Sequence, residues 1–407
     1  MNWICSQIGA REHYSIPRVL HRSGAMECLY TDFWATSTWK MLGKIAGRGS
    51  LATRYHPDLK SADVKGFNLQ FLRALRNHNA NVYEGFLKVG ESFGRSVVHE
   101  LQSRTSVKAS PFTGIFFSYD TGFLEPARWI KEQGGRAIVG QIDPSRYEID
   151  LVKAEEKRWP GVAKRVADVP ESYFRRRESE WAVADLVMVN SDWSKQALMK
   201  QGVPEDRVVI VPLAYESIDN ATAGKKKKEE DPFRNNPLRV LFLGQVILRK
   251  GIQYLIEAAK LLKDEAIHFD IVGPIGISDE ALASVPSSMT FHGAVSRDRT
   301  EAYYRSADLF VLPTLSDGFA LTQLEAMAHG LPVISTPNCG EVVTDGLDGL
   351  VVPACDANAL AEAFQLLIQD PERLREMRGA TKAKVEKFSL SRLGENLAAL
   401  ENRFLAT

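Results

Sequence analysis

The stretch "SDGFALTQLEAMAHGLPV" (Ser316–Val333) sets Asp317-Gly318-Phe319 just ahead of a helix-like run that carries a second acid, Glu325. The preceding "DLFVLP" has the pattern of a buried strand, which makes Thr314–Phe319 the loop at its carboxyl end. A helix starting near Ala320 would aim its free N–H groups at that loop and carry Glu325 about a turn and a half in. Two acids so placed suit an extended polar ligand, since a carboxylate accepts hydrogen bonds from a pair of ribose or hexose hydroxyls. They equally suit plain structure, with Asp317 as a helix N-cap and Glu325 as a satisfied half-buried acid. Spacing alone leaves both readings open.

On both sides of this stretch, short apolar runs alternate with helical ones. "LRVLFLG" (Leu238–Gly244) leads to "GIQYLIEAAKLLKD", then "IHFDIVG", "MTFHG" and "RDRTEAYYRSA"; "PVIST", "GLVVP" and "NALAEAFQLLIQ" follow. Such alternation predicts a parallel sheet covered on both faces, with ligands beyond the carboxyl ends of its strands. The N-terminal half repeats the idea. "NWICSQ" passes through "IGA" into the helical "REHYSIPRVLHRSG". Strands are expected at "GIFFSY", "RAIVGQID", "LVMVNS" and "RVVIVPL", and helices over Phe123–Gln133 and Ser145–Arg158. With 407 residues the chain is too long for one ordinary core. The expected fold class is α/β, two doubly wound parallel-sheet domains facing each other across a cleft. Residues 1–212 would form the N-terminal domain and 213–236 a charged linker. Residues 237–388 would form the C-terminal domain, and 389–407 would be a C-terminal helix that could pack back on the N-terminal domain.

Composition narrows the function classes. Apolar residues are 44% and charged residues 25%, and Lys plus Arg equals Asp plus Glu at 51 each, so no global field draws in nucleic acid. Cys5, Cys28, Cys339 and Cys355 form no CxxC pair and fit reduced thiols in a cytoplasmic protein. No apolar run approaches the roughly 18 residues of a membrane span, and the N-terminus lacks signal-peptide character. Lys225–Lys228 could grip phosphate or the inner membrane face, or could be a solvated loop beside Glu229, Glu230 and Asp231. No His/Cys cluster has metal-ligand spacing and no DxD-like motif ends a strand, so neither metal nor cofactor is expected.

In "GQVILRKG", Lys250-Gly251 follows a strand and opens a helix, and Gly244 lets the backbone turn away from the sheet. A helix N-terminus with one or two cations suits a diphosphate. It is no P-loop, for no GK[ST] follows, and surface loops also read this way.

Carboxylate-Gly-Phe, seven residues between two acids, then Glu-Ala-Met-Ala-x-Gly-x-Pro-Val resembles the signature of retaining glycosyltransferases of family 4. These are GT-B enzymes that use nucleotide-sugar donors. "LFLGQVILRKGIQYLIEA" resembles the family's first strand and phosphate loop. "FHGAVSRDRTEAYYRSADLFVLPTLSDGFALTQLEA" and "GLPVISTPNCGEVVTDGLDGLVVP" follow in the family's order. The match is dense over Arg239–Ile368 and loose in the N-terminal half.

The resemblance implies that Glu325 holds the ribose, Lys250 the diphosphate, and Asp317 the donor sugar. N–H groups of Phe319, Ala320, Leu321 and Thr322, after Gly318, would assist at the phosphates. His292, Gly293 and Ala294 would lie near the base, and Gly9 and Ala10 would face the diphosphate across the cleft. Three positions depart from the family pattern. Asp317 stands where Glu is usual. Gln245 stands where Arg is frequent, and Arg249 is either its substitute or a solvent-facing residue. The N-terminal His that many members offer to the sugar is missing. Gln141, Asp143, Tyr119 and Asp120 are candidates for its place, Asp143 being the catalytic candidate beside Asp317 and Lys250; His13 and His99 are further residues nearby in sequence. The implied activity is metal-independent, retaining transfer from a nucleoside-diphosphate sugar to a carbohydrate or lipid-linked acceptor in polysaccharide or glycoconjugate assembly. A nucleotide-sugar epimerase on the same scaffold, or a binding protein without catalysis, would carry the same donor features.

Overall fold

The computed structural model describes residues 1–36, 54–74, 81–108, 112–164, 168–216 and 237–405. The Lys225–Lys228 run and most of the expected 213–236 linker lie outside these. The N-terminal sheet has seven strands: β1 (Trp3–Gln7), β2 (Met26–Thr31), β3 (Val64–Gly66), β4 (Ile115–Tyr119), β5 (Arg136–Gly140), β6 (Leu186–Val189) and β7 (Val208–Ile210). The C-terminal sheet has six: β8 (Leu238–Leu243), β9 (Ile267–Val272), β10 (Met289–Gly293), β11 (Leu309–Leu312), β12 (Val333–Ser335) and β13 (Gly349–Val351). Every pairing is parallel. Parallel strands need helical crossovers, which cover both faces; β4 and β11 are accordingly buried at every residue.

The strand orders are β3-β2-β1-β4-β5-β6-β7 and β10-β9-β8-β11-β12-β13. In each sheet the chain steps outward one way, then returns to the centre and steps the other way. The loops after β1 and β4, and after β8 and β11, therefore diverge and open a crevice at the carboxyl ends. Gly9, Ala10, Tyr119 and Asp120 lie at one such crevice; Gly244–Lys250 and Thr314–Phe319 lie at the other.

Each sheet is sandwiched between two apolar clusters. Phe242, Phe269 and Ile271 pack with Leu255, Phe364 and Leu367 on one face of the C-terminal sheet, and Phe310, Leu324 and Met327 lie on the other. The last helix, Leu390–Leu405, crosses back to the N-terminal domain. Its Leu393, Leu397 and Leu400 bury against the cluster of Trp3, Ile16, Val19 and Leu20. Three buried leucines at roughly 1.5–3 kcal/mol each tie the chain's end to its beginning.

Two expected helices begin late. "REHYSIPRVLHRSG" opens as a short turn, Arg11–Tyr14, in which Glu12, His13 and Tyr14 are all left-handed, and the α-helix runs only over Ser15–Arg22. The helix expected near Ala320 starts at Thr322, because Ala320 takes a positive φ of 63°. The helices Val82–Lys108, Glu171–Val183 and Pro371–Glu386, with β2 and β3, are further elements beyond those expected. Among the described residues no helix is long and apolar enough to cross a membrane.

Candidate active site

The loop after β11 is held from several sides. Leu315 N–H donates to Arg249 O at 2.8 Å, Asp317 N–H to Asn338 O at 2.9 Å, and Asn338 Nδ2 to Leu315 O at 2.8 Å. Gly251, with φ of 75°, turns the chain so tightly against β11 that a Cβ there would sit 1.8 Å from Pro313 O; no other residue fits. The fastening brings three expected residues together. Lys250 Nζ pairs with Asp317 Oδ2, and Arg249 approaches the same carboxylate at 3.9 Å. Arg249 also donates to Ser316 O at 3.0 Å, so it is a half-buried member of the cluster, not a solvent-facing residue. Burial, then the neighbouring Arg249 charge, pull the Lys250 ammonium pKa down, and Glu148 pushes it back up. The Asp317 contact favours the charged form. Gln245 is exposed beside Gly244, and the Phe319 ring is buried against Phe388, leaving its backbone as the part nearest the loop's ligand face.

Glu325 lies half-buried on the helix Thr322–Ala328, and Tyr304 donates to its Oε2 at 2.8 Å. Tyr304 in turn stacks on His329, 4.9 Å away. Among the described residues nothing donates to Oε1 of Glu325. Nearby, His13 of the N-terminal domain meets Arg297 of the C-terminal domain at 2.7 Å. Burial first, and then Arg297, lower the His13 pKa while Glu325 opposes them, which places His13 within the field of the ribose candidate. His292 engages Asp270 at 2.7 Å and packs its ring on Tyr303; Gly293 follows with a positive φ of 70°, and Ala294 is exposed.

The N-terminal candidates form a separate network within their own domain. Arg177 pairs with Asp120 at 2.7 Å and with both oxygens of Asp143 at 2.8 and 3.1 Å. Gln141 Nε2 donates to Asp120 at 3.2 Å, and Trp181 Nε1 donates to Gln141 Oε1 at 2.8 Å. Burial raises the Asp120 carboxyl, whereas Arg177 and the Ser145 N–H overcome burial to lower that of Asp143. Tyr119 is buried with its hydroxyl on Glu12, so it belongs to the core more than to the cleft. Asp143 keeps 34% side-chain exposure, the most open of the acids in this network. Gly9 N–H is fixed by Asp32 Oδ1 at 2.9 Å, half-buried Ala10 follows it, and exposed His99 sits on the long helix Val82–Lys108, among residues remote from this network.

The two groups meet across the interface. Gly318 comes so close to the N-terminal domain that a Cβ would lie 2.3 Å from Ile142 O. Ser316 Oγ donates to Glu148 at 2.8 Å and accepts from Trp193 Nε1 at 3.0 Å. Glu155, seven residues beyond Glu148 on the helix Arg146–Arg158, accepts from Tyr254 at 2.6 Å. The sequence reading missed Glu148, Arg177, Ser316 and Tyr304. The spacing of seven between Glu148 and Glu155 puts both acids on one helix face, and this was the available signal. Backbone strain marks the same region: of the seven non-glycine residues with positive φ among those described, Glu12, His13, Tyr14, Thr121, Ser145 and Ala320 stand in strand-end loops around the cleft. Strain of this kind gathers at functional sites.

Comparison with known proteins bears on the domain and the fold. Residues 237–370 match the family described as glycosyl transferases group 1. The chain is 29% identical over 237 residues to a D-inositol 3-phosphate glycosyltransferase of Pseudarthrobacter chlorophenolicus, covering 54% of this chain and 56% of that one. It is 27% identical over 364 residues to the putative colanic acid biosynthesis glycosyltransferase WcaL of Escherichia coli, covering 84% and 83%. The chain spans about half the length of several curated relatives it matches. Among solved structures, Anabaena HepE in complex with UDP and glucose aligns with a TM-score of 0.60 at 14% identity, over 99% of this chain and 100% of that one. The fold is GT-B, and residues 237–370 form a glycosyl transferases group 1 domain within it.

Proposed function

We propose that the protein is a retaining glycosyltransferase that moves a sugar from a nucleoside-diphosphate donor to a hydroxyl acceptor in glycoconjugate or polysaccharide assembly. The observation that carries this reading is the Lys250–Arg249–Asp317 cluster at the switch point of the C-terminal sheet, facing N-terminal acids across the cleft. The chemical difficulty is heterolysis of the anomeric C–O bond, which leaves an anionic diphosphate and an electron-poor carbon. Lys250 and Arg249 supply fixed positive charge where the diphosphate departs, a preorganised electrostatic stabilisation that is complete before the bond breaks. Backbone N–H groups of residues 319–322 add to it. Because the positive charge comes from side chains, the reaction proceeds without a metal. Asp317 accepts hydrogen bonds from the donor sugar once the diphosphate has taken Lys250. Glu325, oriented by Tyr304, accepts from the ribose.

Attack comes from the same face that the diphosphate leaves, and the leaving phosphate takes the acceptor's proton. The acceptor, a carbohydrate or a lipid-linked one, lies against the N-terminal domain, where Asp143 is the acid that remains partly exposed. No cofactor beyond the donor is needed. Peripheral contact with the inner membrane face belongs to the same proposal, as does a cytoplasmic location. The relatives' printed names support glycosyl transfer, and the UDP and glucose held by HepE support the donor class.

The test is turnover of a panel of nucleotide sugars with and without hydroxyl acceptors, in EDTA, with the product's anomeric configuration read by NMR. Acceptor-dependent product of retained configuration supports the reading. Nucleoside diphosphate released without any acceptor points to the epimerase, and saturable binding without turnover to an inactive binding protein.

A further inference from the structure

The helix Arg146–Arg158 makes polar contacts with the other domain, and its two buried acids do different work. Glu155 accepts from Tyr254 at 2.6 Å and from Gln253 at 3.3 Å, on a helix away from the phosphate loop. Glu148 reaches into the phosphate loop itself. Its Oε2 accepts from Ser316 Oγ at 2.8 Å and lies 3.6 Å from the Arg249 guanidinium. Its side chain is 10% exposed; burial pushes its carboxyl up, Asp143 adds to this, and Arg249, Ser316 and Lys250 oppose it by favouring the anion. An N-terminal carboxylate thus stands against the guanidinium that also serves Ser316 O and Asp317.

We propose that Glu148 is a displaceable latch, an internal anion that occupies Arg249 in the ligand-free protein and competes with the donor diphosphate for it. The inference rests on the reading that Arg249 and Lys250 hold that diphosphate. One guanidinium nitrogen of Arg249, Nη1, donates to Ser316 O at 3.0 Å and stands 3.6 Å from Glu148, so an anion arriving there meets the Glu148 charge first. A diphosphate carries more charge than a carboxylate and gains more from the same cations, so it displaces Glu148 and loosens one polar fastening between the domains. The neighbouring contacts, Trp193 to Ser316 and Arg158 to Tyr254 at 3.1 Å, are also polar, and interfaces of that character separate readily.

Titration calorimetry with uridine and guanosine diphosphate on the full chain tests this. Glu148→Gln keeps the shape and an acceptor for Ser316 but removes the charge. Binding of the preferred nucleotide should tighten by about two- to fivefold, the range of a partly exposed ion pair. Ligand-free E148Q should also scatter X-rays with a larger radius of gyration than the wild type. Glu155→Gln, on the same helix face but off the phosphate loop, should leave nucleotide affinity unchanged. If E148Q folds poorly, Glu148→Asp, which withdraws the carboxylate by one methylene, should shift affinity in the same direction. Weaker or unchanged binding in E148Q, with binding lost in Lys250→Ala, would overturn the latch and leave the phosphate site standing. Wild-type binding in Lys250→Ala would overturn the phosphate site and the latch with it.

Discussion

The two sheets share one strand order through their first six strands, yet their switch points are furnished in opposite ways. The C-terminal crevice holds cations, Lys250 and Arg249, whose partners Asp317 and Glu148 come from the loop after β11 and from the other domain. The N-terminal crevice holds acids, Asp120 and Asp143, both paired with Arg177 from their own domain. One crevice is therefore poised to exchange its partners for an anionic ligand, and the other is built to keep its shape while the ligand changes. A charged residue at a strand end is not by itself a site; what matters is whether its counter-charge can be replaced.

The largest effect is expected where the self-contained network is broken. Arg177→Ala leaves Asp120, whose side chain is 1% exposed, as an uncompensated buried carboxylate beside Asp143. Loss of about 3–5 kcal/mol in denaturant unfolding is expected, the usual consequence of removing one partner of a buried pair. A loss near zero would show that the N-terminal acids do not depend on this arginine.

Next comes Glu180, fully buried behind the same network, accepting the N–H of left-handed Thr121 at 2.9 Å. Burial first, then Asp120, pushes its carboxyl up to about 8 from 4.5, so the folded protein keeps a proton that the unfolded chain has released. The stability from this group is complete below pH 4.5 and is lost as pH rises to about 8. Glu180→Gln should remove that slope, gaining on the wild type by about 2–4 kcal/mol between pH 5 and pH 8. Parallel melting curves for the two proteins across this range would contradict the assignment.

The replaceable crevice predicts smaller, ligand-specific effects. Asp317→Asn should slow sugar transfer by about ten- to a hundredfold, the range of a charge-assisted hydrogen bond. Free nucleoside diphosphate should bind no more weakly, because Lys250 is freed from its ion pair. If Asp317 were only a helix cap, Asn would serve as well, and transfer would stay at the wild-type rate. Glu325→Gln should weaken every nucleotide that carries the ribose by about tenfold, whatever its sugar. A changed melting temperature with unchanged affinity would instead make Glu325 a structural acid.

The same contrast explains what the sequence disclosed. The C-terminal strands are short apolar runs and their functional loops follow at once, so Lys250, Asp317 and Glu325 could be placed on loop, loop and helix from pattern alone. The helix start at Thr322 could not, because nothing in Ala320 announces a left-handed backbone. In the N-terminal half Asp120 and Asp143 were found as acids after strands. Their partner Arg177 was not, since it comes from a helix more than thirty residues on in "FRRRESE" and only the fold joins them. Glu148 was hidden for the same reason: its meaning lies in Ser316 and Arg249, each a domain away.

The central claim is that the cation pair after β8 holds a nucleoside diphosphate, and calorimetric titration of free nucleoside diphosphates onto wild type and Lys250→Ala measures it most directly. The wild type should bind one of them saturably, and Lys250→Ala, melting as the wild type does, should bind it about ten- to a hundredfold more weakly. Equal affinity in the two proteins would contradict the account.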